Sequence, residues 1–307
     1  MDAEPGGVLY LQKFFGGEVV IQKTEVEIMI CDLHTHSIFS DGTYTPAEII
    51  EEAIHTGLSA VALTDHNSVD GLPEFVTAAV NKQIDIVLGS EFSVDYNGTE
   101  LHMLGLFIKP EYFPQVSGLM NDVMHRKEQS NIDLIESLSR AGIHLDYNEI
   151  KSSTPNGKIN RAHIATAMVQ KGIVASVSEA FETHLSKSAG HYVEPKRLTV
   201  WEILEFIRSI GAVSVLAHPF LNLEEKELMS FLPQAKEKGL VGMECYYSLY
   251  DKYVTETSLK IADSLGLLKS GGSDFHGSRK PDINLGTGKG NLEIPYEWYL
   301  KLKECAE

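Results

Sequence analysis

Five short segments of this chain offer imidazole or carboxylate side chains just past an apolar run that reads as a β-strand. They are Asp32-Leu33-His34-Thr35-His36-Ser37, Thr64-Asp65-His66-Asn67, Gly89-Ser90-Glu91-Phe92, Ala217-His218-Pro219 and Gly272-Ser273-Asp274-Phe275-His276-Gly277. A carboxylate on the inner face of a strand end is costly without a partner, so the fold has to bring these ends together. Neutral imidazole plus ionised carboxylate, with no thiolate among them, suits a cluster of first-row divalent ions. One such segment would mean little. Five in the same position relative to a strand predict a single metal pocket.

At 307 residues the chain can bury a large core, as one barrel-sized domain or as a domain plus an insertion. A formal charge of -17 argues against tracking long duplex nucleic acid along a basic face, which needs many phosphate contacts. It leaves room for a small phosphorylated ligand or the end of a short oligonucleotide, because metal ions make a pocket locally positive. Cys31, Cys245 and Cys305 are too few and too scattered for a disulfide framework or a thiolate zinc site. The run Val8 to Leu11 is too short for a signal-peptide core, and no stretch approaches ~18 uninterrupted apolar residues. The expected location is cytoplasmic, with no membrane partner.

Residues 1–26 alternate polar and apolar positions around Gly16-Gly17 and read as a hairpin-like extension. From Glu27 a strand, loop, helix pattern sets in and repeats. Strands are predicted at Glu27 to Leu33, Leu58 to Thr64, Ile84 to Leu88, Leu101 to Ile108, Ala212 to Ala217, Val241 to Cys245 and Leu267 to Ser270. Between them, Thr45 with Pro46 and Glu48, and Thr199 with Glu202, mark helix starts as capping boxes. Alternation of this kind, with chemistry after the strands, predicts an α/β fold, a distorted seven-stranded (β/α)7 TIM-like barrel. The barrel domain is expected over 27–112 and 198–307. Residues 113–197 lack good strand runs and predict a helical insertion, a cap bordering the active site.

Taken singly, most of the polar residues in these segments have an ordinary structural account. An H-x-H pair such as His34 and His36 is weak evidence, Asp41 suits a turn, and His102 suits a satisfied core histidine. Their convergence carries the argument. His34 and His36 share one strand face, His66 and Glu91 end the second and third strands, and His218 precedes a proline that fixes an extended approach. Asp274 and His276 complete the ring. Asp65 could hold an imidazole in one tautomer or cap the following turn, and Glu244 is open in the same way.

From about Ile30 to Leu285 these segments resemble the PHP (polymerase and histidinol phosphatase) superfamily of metal-dependent phosphoesterases. The resemblance is to the subfamily with a helical insertion between the fourth and fifth strands, whose members act as 3′,5′-nucleoside bisphosphate phosphatases or trim RNA from the 5′ end. It implies the PHP fold and two or three divalent ions, manganese, iron or zinc. His34, His36, Glu91 and Asp274 would hold the first; Glu91, His102 and His218 the second; Asp41, His66 and His276 the third. The residues before Glu27 fall outside the resemblance.

Three divalent ions against the three ligand carboxylates would leave the pocket at about +3, a field that favours a phosphate ester and its transition state. Attack by a metal-bridging hydroxide is expected, with no phospho-enzyme. Glu91, His218, Asp274 and Asp65 are the residues expected to carry catalysis. Arg161 and His163, in a stretch that resembles the family's phosphate-contacting Arg-x-His, are expected to bind substrate, with Lys196 and Arg279 as further candidates; Arg197 and Lys280 rank with them. The leading expectation is removal of the 3′-phosphate from nucleoside 3′,5′-bisphosphates. Alternatives are a 5′-3′ exoribonuclease on short RNA, a histidinol-phosphate phosphatase, and a non-catalytic scaffold of the kind attached to some DNA polymerases.

Overall fold

A computed structural model describes residues 29–154 and 159–306. The hairpin reading of residues 1–26 lies outside them. The described chain runs β1 (Cys31–Asp32), α1 (Pro46–His55), β2 (Ala60–Leu63), α2 (Leu72–Ala79), β3 (Asp85–Leu88), β4 (Ser90–Tyr96) and β5 (Thr99–Leu106). Helices α3 (Phe113–Arg140), α4 (Tyr147–Ser153), α5 (Arg161–Gln170) and α6 (Val177–Ala180) follow. The chain then returns to α7 (Val200–Ser209), β6 (Val213–Leu216), α8 (Glu225–Glu237), β7 (Gly242–Tyr247), α9 (Lys252–Leu265), β8 (Leu268–Gly272) and α10 (Tyr296–Lys303).

The expected seven-stranded barrel is not what forms. The described residues make two sheets, a three-stranded β1-β2-β3 and a five-stranded β4-β5-β6-β7-β8, with no closed barrel. The first sheet is parallel throughout, but β4 and β5 pair antiparallel, as do β5 and β6. The source of the difference is local. Asn97 and Gly98 both take positive φ, 52° and 88°, and turn the chain into a tight hairpin directly after β4. That turn adds an eighth strand and breaks the parallel series. The Asn-Gly dipeptide is a strong hairpin signal, and the strand count passed over it.

Both faces of the short parallel strands are buried, so they read as continuous apolar runs. In β2, Val61 and Leu63 pack with Ile49, Ile50 and Phe75 of α1 and α2, while Ala60 and Ala62 face an inner cluster. That cluster joins the two sheets through Cys31, Leu33 and Val87 from one side and Leu104, Leu106, Val213 and Val215 from the other. A separate core ties α3, α4 and α5 together through Leu134, Leu138, Ile150, Ile164 and Met168. No described helix is long and apolar enough to cross a membrane.

Both predicted capping boxes form. Thr199 N–H donates to Glu202 Oε2 (2.8 Å), and Glu202 N–H donates back to Thr199 Oγ1 (3.2 Å). The Thr199 amide, then the Lys196 ammonium, pull the Glu202 carboxyl down to about 2. A depressed carboxyl contributes stability that is complete above its unfolded value, 4.5, and is lost as pH falls toward about 2. The side chain is 41% exposed, so screening limits the effect. Glu202→Gln should therefore cost about 0.5–1 kcal/mol at neutral pH. Its denaturant midpoint should converge on that of the unaltered protein as pH falls from 4.5; a gap that persists at the lowest pH would rule this account out.

Candidate metal centre

The ends of strands from both sheets meet at one place. Backbone bridges Thr35–Phe275 and His66–Glu91 tie the segment after β1 to the segment after β8, and the end of β2 to the start of β4. Gly272 makes the approach possible, because a Cβ there would sit 2.2 Å from the Cβ of His34. Two of the expected ligands hold unusual backbone: His218 has φ 24° and Asp274 φ 56°, a region non-glycine residues rarely adopt. The strain turns each side chain into the cluster.

At its centre lies Glu91, fully buried. Its Oε2 is 3.2 Å from His34 Nε2, 3.2 Å from His36 Nε2 and 3.0 Å from His66 Nδ1. Its Oε1 is 2.8 Å from His102 Nδ1 and 3.1 Å from His218 Nε2. Five imidazoles around one carboxylate exceed what hydrogen bonding can satisfy. Of the five, only the His218 contact has hydrogen-bond geometry. His34 Nε2, both nitrogens of His36, His66 Nδ1, His102 Nδ1 and Glu91 Oε2 are buried with no hydrogen-bond partner. Buried polar atoms left in this state need an explanation, and a shared cation supplies one. All the groups are N and O donors, the set that first-row divalent ions accept.

All nine sequence-predicted ligands come together. Their donor atoms fall into four overlapping groups: His36, Asp41, His66 and His276; His34, Glu91 and His218; His34, His36 and Asp274; His66, Glu91 and His102. The partition differs from the expected one. His36 also stands with the Asp41 group, His66 stands with Glu91 and His102, and His34 stands with Glu91 and His218, so that His102 and His218, expected at one ion, fall in separate groups. Asp41 Oδ1 lies 3.1 Å from His276 Nε2, and His36 Nε2 lies 3.1 Å from Asp274 Oδ1.

Asp65 sits apart from the imidazoles. Its carboxylate accepts from Ser37 N–H (2.7 Å), Ser37 Oγ–H (2.6 Å) and Ser40 Oγ–H (2.6 Å). It clamps the loop that carries Asp41 to the end of β2. Several contacts of the cluster fall outside the expected roles, including those of Lys280 and Arg197, expected only as substrate candidates. Tyr247 OH donates to Asp274 Oδ2 (2.8 Å), and Lys280 Nζ donates to the same oxygen (2.7 Å). Glu100 lies 3.6 Å from His102 Nε2 and pairs with Arg197 (3.2 Å). Asp32, fully buried, accepts from the backbone N–H of His34, Ser273 and Gly286. A charged residue inside an apolar strand was the available signal for Asp32; Tyr247 and Glu100 carried none.

Beside the cluster opens a cavity of ≈ 480 Å³. Asn67, Ser93 and Glu100 border it on the metal-ligand side; Met124 and Lys127 of α3, Arg161 of α5, and Phe181 and Tyr192 form the other wall. The expected substrate residues divide here. Arg161 lines the cavity, its guanidinium 4.0 Å from the Tyr192 ring centre and donating to Leu185 O (3.2 Å). Lys196 also lines it and pairs with Glu202. His163 is absent from the lining, and its Nδ1 accepts from Asn160 N–H in the α5 capping box. Arg279 is exposed and does not line the cavity.

The PHP domain family model matches residues 32–209. A 3′,5′-nucleoside bisphosphate phosphatase of Chromobacterium violaceum is 31% identical over 251 residues, 80% of this chain and 86% of its own length. A 5′-3′ exoribonuclease of Haemophilus influenzae is 29% identical over 246 residues, covering 80% and 89%. Among solved structures, a candidate metal-dependent phosphoesterase from Bifidobacterium adolescentis aligns with a TM-score of 0.64 at 26% identity, over 91% of this chain and 97% of that one.

Proposed function

The chain belongs to the PHP domain family and is a hydrolase of phosphate ester bonds, and we propose that its substrates are nucleotides, with the 3′-phosphate of nucleoside 3′,5′-bisphosphates as the preferred target. The observation that carries this reading is the ring of five imidazoles around Glu91 with unpartnered nitrogens. We assign His34, His36, Asp41, His66, Glu91, His102, His218, Asp274 and His276 as ligands of two or three divalent ions, manganese, iron or zinc. Such ions, when bound, supply Lewis acidity at phosphoryl oxygens and lower the pKa of a coordinated water.

The protein's own side chains do the positioning. Glu91, reaching three imidazoles with one oxygen and two with the other, is the group placed to be shared between ions. Tyr247 and Lys280 hold Asp274 Oδ2, which leaves Oδ1 turned toward His34 and His36. Residues 113–197 serve as the cap, because α3, α5 and the segment at Phe181 and Tyr192 wall the cavity next to the cluster. That volume suits a mononucleotide: apolar Val123, Met124 and Phe181 offer a surface for a base, and Lys127, Arg161, Lys196 and Arg197 offer cations for a second phosphate. Because Arg161 is stacked and hydrogen-bonded, it is a pre-oriented donor rather than a searching one. Cysteines 31, 245 and 305 are all free, in keeping with a cytoplasmic enzyme.

A second reading, 5′-3′ exoribonuclease on short RNA, is favoured by the likeness to the Haemophilus influenzae protein of that name. One assay separates the readings. With Mn²⁺ supplied, phosphate release from adenosine 3′,5′-bisphosphate should exceed nucleotide release from a short 5′-phosphorylated RNA, and histidinol phosphate should turn over least. No turnover of the first two would overturn the substrate assignment. Metal analysis tests the scaffold alternative, since the enzyme requires about two or three ions per chain.

A further inference from the structure

The sequence leaves Glu244 open between holding an imidazole and capping a turn, and the structure gives it a specific placement. It stands on β7, fully buried, and the described residues bring no lysine or arginine within 4.0 Å of it. Its two oxygens go to two different metal-ligand candidates. Oε1 lies 3.0 Å from His34 Nδ1, and Oε2 accepts the backbone N–H of His218 at 2.6 Å. The far nitrogens of both rings face Glu91, His34 Nε2 at 3.2 Å and His218 Nε2 at 3.1 Å.

We propose that Glu244 is the positioning residue for one ion, the one bounded by His34, Glu91 and His218. The inference rests on the metal-centre reading above. An ionised carboxylate only accepts hydrogen bonds, so the His34 nitrogen facing it carries the proton and Nε2 is left with its lone pair toward the cluster. The same carboxylate, through the His218 amide, pins the strained residue at φ 24° that swings the second imidazole into place. One side chain thereby sets the tautomer of one ligand and the backbone of another.

Glu244→Gln tests this, because the amide keeps the shape but cannot serve both partners. With its oxygen on the His218 N–H, its NH2 donates to His34 Nδ1 and forces the proton onto Nε2, where it blocks the ion. With the amide reversed, NH2 meets the His218 N–H. The expected result is a loss of about one ion per chain, or a 10- to 100-fold weaker affinity for that ion, with the remaining ions retained. Titration of metal-free protein with Mn²⁺, read by calorimetry and by metal content after desalting, measures it. In a His34→Ala background the same change should add nothing further. Unchanged stoichiometry and affinity in Glu244→Gln overturn the proposal. So does a uniform weakening of every ion, or a metal-free variant that does not fold by circular dichroism, since either makes Glu244 part of the general scaffold. Unaltered protein that binds no ion refutes the metal-centre reading itself, a separate outcome.

Discussion

Glu91→Ala should lose metal from two ion positions at once and slow phosphate release by at least about 100-fold, the upper end for losing even an outer partner of a ligand. The expectation follows from the count of contacts. His34, His36 and His66 also belong to two of the four groups, but among the described residues Glu91 alone stands within 3.2 Å of five imidazoles, three at one oxygen and two at the other. Removing it takes away the anion on which the ring converges and leaves imidazoles facing one another across a void. Glu91→Gln separates the two contributions, since it preserves volume but halves the acceptor capacity and removes the charge. Metal content and phosphate release should fall together in both variants. A Glu91→Ala protein with full metal content and an unaltered rate would remove the bridging role.

Which parts of this arrangement the sequence could disclose follows from range. Capping boxes at Thr45 and Thr199 are local, three residues wide, and form as read. His34, His36, Glu91, His218, Asp274 and His276 were legible because each follows a strand run, and the ends of strands from both sheets meet at one place. What failed was pairing. The apolar run Leu101 to Ile108 predicts a strand but carries no direction, and Ser90–Tyr96 has no expected strand of its own, so one arm of a hairpin enters as a parallel strand and the architecture becomes a barrel. The Asn97-Gly98 turn held the missing direction. Residues that act over long sequence separations were harder still. Tyr247 reaches Asp274, and Asp32 reaches Gly286, over sequence separations of 27 and 254, and no local pattern announces such a contact. Asp65 shows the opposite limit: its position beside His66 suggested an imidazole partner, while the loop serines claimed its carboxylate first.

Metal-free protein should be most stable between about pH 4.5 and 6.5, and reloading with a divalent ion should release protons and stabilise more as pH rises. Without ions, the ring neutralises itself. Burial pushes His34 down, but the Glu91 and Glu244 carboxylates outweigh it and hold the imidazole well above its ordinary value. His36 rises by the same balance through Asp274 and Glu91. His102, burial again opposing, is raised to about 10 by Glu100 and Glu91. Glu91 and Asp274, which burial alone would raise, are held well below the carboxylate range by the surrounding histidines. Raised histidines contribute stability in full below their unfolded value of 6.5, and it is lost as pH climbs through the folded values. Depressed carboxylates contribute in full above 4.5 for Glu91 and 3.8 for Asp274, and it is lost on acidification. Both contributions are complete only in the interval between. A divalent ion demands neutral imidazoles, so it competes with these protons, and each displaced imidazolium proton makes the apparent affinity steeper in pH. Thermal unfolding of chelated and reloaded protein across about pH 4 to 9, with calorimetry in buffers of different ionisation heat, measures both halves. A metal-free midpoint that keeps rising from pH 6.5 to 9, with no proton released on loading, would show that imidazolium–carboxylate pairing does not hold the empty ring together.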